Sequence, residues 1–225
     1  MSDQDPKNFG SYVTGFTLSE RDNMPELSFK AFIQLVEPLC KEVEDHTGID
    51  HVLPMVQAAH ESKAGNSKLA KEYGNLFGFK ASKSWKDNKK PVARMPTWEV
   101  ITTKDKDKFF APFVPPDKPL PPDCPFWKVP EIVEKWTDKE DGAMFYKLKI
   151  YCYQEFRVYE TWRDSFFDWG RLISTVKDYA PAYVLLRRKE TVREGIKVMA
   201  GTYATDPNYA RSLLLLYDKV NSGVL

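Results

Sequence analysis

Eight prolines fall between Phe109 and Pro130, in the run FFAPFVPPDKPLPPDCPFWKVP. Proline has no N–H to give and a locked φ, so this stretch reads as neither helix nor central strand. It also holds Phe109, Phe110, Phe113, Phe126 and Trp127. Disordered linkers are poor in such rings, so an ordered, aromatic-studded loop is expected. Whatever the chain folds into has to be assembled on either side of this segment.

Before it, the pattern is helical. Phe29, Phe32, Ile33, Val36 and Leu39 recur at spacings of three and four behind Ser28, a natural N-cap, with a possible kink at Glu37-Pro38. Thr47-Gly48 ends that element, and Asp50 can cap a second one running to Glu61. Pro54 falls in its first turn, where proline is tolerated. Ser67 to Tyr73 reads as a short helix stopped by Gly74.

Strand-like runs follow at 99–103 and 145–153, flanking the proline segment. Beyond Tyr159 the helices return: one capped by Thr161, then 190–199 and 208–220. The expected class is α+β and mainly helical. The expected organisation is one domain over 1–225, with an irregular lead-in at 1–27 and an insertion at 105–150 within a small β-lobe.

A chain of 225 residues can bury a core without staples. Its three cysteines, Cys40, Cys124 and Cys152, make no disulfide framework, although Cys124 and Cys152 could pair. No spacing of cysteine with the three histidines resembles a zinc site, and no metal or cofactor is expected. A net charge of +1 argues against a dedicated nucleic-acid binder. No apolar run is long enough to span a membrane. The polar start MSDQDPKNFG has no classical signal-peptide pattern.

The chemistry concentrates in VQAAHESKAGNSKLAKEYGNLFGFK, residues 56–80. Glu61 stands at the end of a helical pattern among Ala58, Ala59, Ser62, Ala64 and Gly65, followed by the aromatic turn Asn75-Leu76-Phe77-Gly78-Phe79. A single acid among small and aromatic neighbours suits a sugar-cleaving proton donor, whose proton is held by burial. Among 32 acidic residues, a helical Glu is otherwise a solvated surface charge. His60 is its neighbour in sequence, but adjacent helical positions do not face each other, so a structural role is expected.

Four blocks in order give the chain a resemblance. They are AAHESKAGNSKLAK (58–71), GNLFGFK (74–80), PTWE (96–99), and FRVYETWRDSFFDWGRLI (156–173) with GTYATDPNYARSLLLLY (201–217). Together they resemble the glucosaminidase family of peptidoglycan hydrolases, glycoside hydrolase family 73, over about 50–104 and 154–217.

The resemblance implies a lysozyme-like fold whose β-lobe walls a glycan groove. It also implies hydrolysis of the β-1,4 bond after N-acetylglucosamine in peptidoglycan. Glu61 falls on the family's general acid, and Glu99, 38 residues on, near its second carboxylate. Tyr203 falls on a cleft tyrosine, and Asn75 and Phe77 on the turn that frames the groove. Phe79, Trp98 and Tyr159 are candidates to stack on sugars. Asp206 reads as a helix cap.

A muramidase, a lytic transglycosylase and a non-catalytic glycan-binding module are the competing readings. The implied site of action is the periplasm or wall of a target bacterium, after synthesis in a cytoplasm. The implied delivery is as a phage lysin or, preferred here, as a type VI secretion effector with a cognate immunity protein occluding the groove.

Overall fold

The structure, a computed structural model, describes residues 24–114, 119–140 and 142–224. The expected lead-in falls outside the described residues up to 23, and 24–28 carry no helix or strand. The chain divides into two compact units: residues 1–79 with 157–225, and residues 80–156.

The first unit is helical. Helix α1 (Phe29–Thr47) starts on Ser28, whose side chain accepts the Ala31 N–H, and buries the stripe Phe32, Ile33, Val36, Leu39, Cys40 and Val43. It runs through Pro38, which lies on an exposed flank. Solvent can therefore satisfy the carbonyl that proline leaves without a donor. Helix α2 (Val52–Ser62) begins where Asp50 accepts the Val52 N–H at 2.9 Å. Short helix α3 (Lys68–Tyr73) is capped by Ser67 and stopped by Gly74 in the left-handed conformation, φ 66°.

Thr161 and Asp164 form a reciprocal capping box on α6 (Trp162–Thr175), which buries Trp162, Phe166 and Trp169. Helices α7 (Ala180–Leu186), α8 (Val192–Tyr203) and α9 (Tyr209–Asn221) complete the unit. Asp206 accepts the Asn208 N–H at 2.9 Å just before α9, a turn leading into the helix rather than its cap, since the N-cap position is Asn208 and has no side-chain cap bond. Helix α2 packs against both α1 and α9.

The second unit is a small sheet in the order β1-β3-β2. It is built from β1 (Val92–Thr103), β2 (Phe126–Thr137) and β3 (Met144–Arg157), with helical turns α4 (Lys83–Asp87), α5 (Asp107–Phe110) and a 3₁₀ turn at Ala111–Phe113. Here the loop expectation needs correcting. The proline-rich segment supplies the end of α5, the 3₁₀ turn and the start of strand β2. Pro112 sits at the first positions of its 3₁₀ turn, where no N–H is needed. Pro130 lies on the edge strand β2, inside the register shift between Lys128 and Glu131. Phe109, Phe110 and Phe126 pack against Leu148, Ile150 and Cys152, so their burial is local to this unit. Cys40, Cys124 and Cys152 are all free thiols.

The observed α+β architecture, helical with one small sheet, agrees with the expected class.

Candidate active site

Helix α2, VLPMVQAAHES, is buried on nearly every face. Its apolar residues have no solvent side, which is why it packs between neighbours rather than lying on the surface. Its sole carboxylate, Glu61, comes one residue before the end. The chain then turns sharply, because Lys63, Ala64 and Gly65 all take left-handed φ values of 55°, 54° and 78°. The Ser62 hydroxyl holds the corner by donating to the Ala58 carbonyl at 2.6 Å and accepting the Gly65 N–H at 2.7 Å. At Gly65 a Cβ would lie 2.6 Å from the Trp162 ring, so glycine is required for both conformation and space.

The Glu61 carboxylate sits at the end of a directed chain of hydrogen bonds. The Trp169 indole N–H donates to Gln57 Oε1 at 2.8 Å. Gln57 Nε2 donates to the Tyr209 hydroxyl at 3.0 Å, and Tyr209 donates to Glu61 Oε1 at 2.5 Å. The direction follows from the chemistry of the first member. An indole can only donate, so it turns the Gln57 carbonyl towards itself and the amide NH₂ towards Tyr209. Tyr209 oxygen accepts from that amide, and its own proton goes to Glu61. Oε1 is thereby occupied as an acceptor, and a proton on Glu61 belongs on Oε2.

Burial raises the Glu61 pKa above the usual carboxylate value, while the Tyr209 hydrogen bond and nearby His60 pull it down. The net direction is upward, towards a carboxyl that keeps its proton. Burial, then the adjacent Glu61 charge, also push the Tyr209 hydroxyl upward, so it stays a donor. The His60 ring lies edge-on to Tyr209 at 5.5 Å, a packing role as expected.

Tyr203 stacks nearly parallel on Tyr209, centroids 5.7 Å apart. Its hydroxyl donates to the Phe77 carbonyl at 2.7 Å, so its proton is used within the protein and only its oxygen remains as an acceptor. Asn75 is buried. Its Nδ2 donates to the Phe79 and Arg157 carbonyls, both at 2.9 Å, and its Oδ1 accepts the Phe79 N–H at 3.0 Å. Phe77 is 2% exposed and packs among Phe79, Phe166 and Trp169.

The stacking expected of Phe79 and Tyr159 is corrected by burial. Phe79 lies against Phe77 and Tyr203, and Tyr159 is buried with its hydroxyl donating to Asp168 at 2.6 Å. With Asn75 and Phe77 they form the frame under the site and offer no open ring. Asp168 anchors that frame. It takes Arg157, Tyr159 and, at 2.7 Å, Arg171. Its burial favours the proton, but these donors outweigh it and hold the pKa below the usual range.

In the second unit, Glu99 on β1 pairs with Lys80. Trp98 is 57% exposed with Lys149 Nζ 4.9 Å from its ring. Successive strand residues point to opposite faces. Trp98 and Glu99 therefore lie on opposite faces of the sheet, and Trp98 keeps the open ring that stacking on a sugar would need.

Sequence reading missed Tyr209, Gln57 and Trp169. Tyr209 stood in the block that supplied Tyr203, and Gln57 was the one amide in a helix whose first eight residues are otherwise apolar. Among the described residues no three His, Cys, Asp or Glu side chains gather as a metal ion would need, and no helix is long and apolar enough to cross a membrane.

Comparison with known proteins places this geometry in context. A family model described as Glucosaminidase, mannosyl-glycoprotein endo-beta-N-acetylglucosaminidase, matches residues 37–222. The chain is similar to the peptidoglycan hydrolase FlgJ of Escherichia coli strain K12, 26% identical over 206 residues covering 89% of this chain and 49% of that protein. It thus spans about half the length of the curated relative it matches. It also resembles the C-terminally truncated glycoside hydrolase domain of Salmonella typhimurium FlgJ, with TM-score 0.53 and 23% identity over 87% of this chain and 99% of that one. The catalytic domain of the autolysin Auto from Listeria monocytogenes matches with TM-score 0.54 and 19% identity over 98% and 97% of the two chains. At these identities the structures establish a shared fold.

Proposed function

Since this chain belongs to the glucosaminidase family and is a glycoside hydrolase, we propose that it cuts the β-1,4 bond after N-acetylglucosamine in peptidoglycan, with Glu61 as general acid. The observation that carries the reading is the half-buried Glu61 carboxyl, its proton favoured by burial and one oxygen occupied by Tyr209. The peptidoglycan assignment is supported by relatives named as peptidoglycan hydrolases.

Glycoside hydrolysis needs a proton on the leaving oxygen and a group to meet the oxocarbenium-like charge. Glu61 supplies the proton from Oε2. As it leaves, charge grows on the carboxylate and the Tyr209 hydrogen bond strengthens, so the chain from Trp169 favours the transition state over the ground state. Glu99 is the proposed second carboxylate, either activating water or stabilising charge while the substrate's N-acetyl group attacks. Tyr203, its proton committed to Phe77, acts through its oxygen by accepting from the N-acetyl N–H or from water.

The test is digestion of purified peptidoglycan by wild type and by Glu61→Gln, read by turbidity and by mass spectrometry of the reducing-end sugar. Loss of clearance in the variant, with N-acetylglucosamine at the new ends, is expected. Equal clearance refutes the acid assignment. A muramic acid end means a muramidase, an anhydro end a lytic transglycosylase, and glycan binding without product a non-catalytic module.

The proposed place of action is the periplasm or wall of a target bacterium. The proposed role there is as an antibacterial effector delivered by type VI secretion, with an immunity protein that covers Glu61. A neighbouring gene for an exported inhibitor supports this; a neighbouring holin gene, the mark of a phage lysin, overturns it.

A further inference from the structure

The sheet has two chemically different faces. Register places Ile132 with Leu148 and Phe126 with Cys152 on one face, which Phe109 and Phe110 cover. Lys128 with Tyr151 and Trp136 with Phe145 lie on the other. Trp98 belongs to this second face through Lys149, and Glu99 to the first through strand alternation.

The second face interleaves rings with cations. Lys149 Nζ lies 4.9 Å from the Trp98 ring and 5.3 Å from Tyr151, Lys128 lies 4.2 Å from Tyr151, and Arg94 lies 4.4 Å from Tyr153. The rings stay open: Trp98 is 57% exposed, and Tyr153 and Trp136 are each 37% exposed. Register also puts Glu134 opposite Lys147 on this face, so the cations Arg94, Lys128, Lys147 and Lys149 meet the carboxylates Glu131 and Glu134 and a modest positive excess remains. Glu131, opposite Lys149, is tied to Lys128 at 3.0 Å and to the Tyr151 hydroxyl at 2.6 Å. Lys149 itself makes no ion pair with a described residue. The chain as a whole is nearly neutral at +1, so this positive, ring-lined surface is a local concentration.

Open rings on a sheet mark a binding surface, and cations beside them select for negative charge. We propose that this face is a second glycan-binding surface, away from Glu99, that takes an uncut peptidoglycan strand. The rings lie on the apolar faces of its sugars, and Lys149 and Arg94 meet the carboxylates of its peptide stems. The inference rests on the peptidoglycan reading above. A polyanion without apolar faces leaves the rings unused, and a neutral glycan leaves the cations unused. A strand with carboxylated stems uses both.

The experiment separates holding from cutting. The full chain carrying Glu61→Gln is co-sedimented with purified sacculi, alone and combined with Trp98→Ala or Lys149→Glu. In parallel, Lys149→Glu on wild-type Glu61 is assayed on a short soluble glycan fragment. The expected result is roughly tenfold weaker sacculus binding for each surface variant, with soluble turnover by Lys149→Glu unchanged and Trp98→Phe restoring binding. Unchanged sacculus binding overturns the inference. So does a parallel loss of soluble turnover, which would mean a damaged fold or cleft. Displacement from sacculi by a single-stranded oligonucleotide or an acidic protein as readily as by glycan also overturns it, leaving a general anion surface. If Glu61→Gln does not sediment and the wild type does not turn over glycan, the peptidoglycan reading itself fails, and that outcome is distinct because the surface variants then make no difference.

Discussion

Replacing Tyr209 by Phe removes one hydroxyl and leaves the ring in its stack with Tyr203. The hydroxyl donates to Glu61 Oε1 and accepts from buried Gln57. A hydrogen bond to a charged group contributes about 1.5–3 kcal/mol. Only part of the Glu61 charge has developed in the transition state, so about 1–2 kcal/mol is lost there, and kcat falls roughly 5- to 30-fold. The pH dependence moves the other way. Tyr209 lowers the Glu61 pKa from its raised position, so its removal lifts that pKa further. In its proposed role as general acid Glu61 has to be protonated, and the alkaline limb of the kcat profile is therefore expected to shift to higher pH. Leaving Gln57 Nε2 without an acceptor also costs about 1–3 kcal/mol of stability. Initial rates of peptidoglycan digestion across pH, beside a denaturation curve, measure all three. A limb that stays in place or moves to lower pH refutes the proposed donation to Glu61. A loss of activity that merely follows the folded fraction refutes it as well.

Asn75→Ala leaves the Phe79 N–H and the Phe79 and Arg157 carbonyls without their partner; a stability loss of about 3 kcal/mol in urea denaturation is expected. Asp168→Asn breaks a buried cluster and should cost about 3–5 kcal/mol at neutral pH. Because the folded Asp168 pKa is lowered, its contribution is present above the unfolded value and disappears as pH falls through the folded one. The wild type should therefore weaken below about pH 4, and the variant should show a flatter acid decline when both are denatured at pH 7 and pH 3. Gly65→Ala forces a methyl to within 2.6 Å of the Trp162 ring at φ 78°; a stability loss of about 3 kcal/mol and a fall in kcat are expected, read by thermal melting and digestion rate.

Helix boundaries were legible because their causes are local. Ser28, Ser67 and Thr161 each accept an N–H three residues ahead, a relation visible in the residues themselves. Glu61 was legible as a candidate through its small neighbours and the resemblance. Its supporting chain was not, since Trp169 lies 112 residues from Gln57, and Tyr209 lies 152 from Gln57 and 148 from Glu61. Nothing near Gln57 distinguishes a buried amide that links Trp169 to Tyr209 from any other helical glutamine. Strand β2 was missed for a related reason. Whether proline is tolerated depends on being at an edge, which only the strand order reveals. Ring identity also failed to indicate exposure, so Phe79 and Tyr159 were read as platforms when their neighbours cover them.

The left-handed corner after Ser62 has an electrostatic consequence. By ending α2 where it does, it leaves Glu61 in the helix's last turn, beside the cluster of carbonyl ends that carries partial negative charge. That field repels a carboxylate and welcomes a neutral carboxyl, acting in the same direction as burial. Continuing α2 by another turn would move those carbonyls away and relieve two non-glycine residues, Lys63 and Ala64, of a backbone conformation that costs about 1–2 kcal/mol each. A straighter helix would lose the Gly65 N–H bond to Ser62 along with that strain, and its acid would surrender its proton to water at a lower pH.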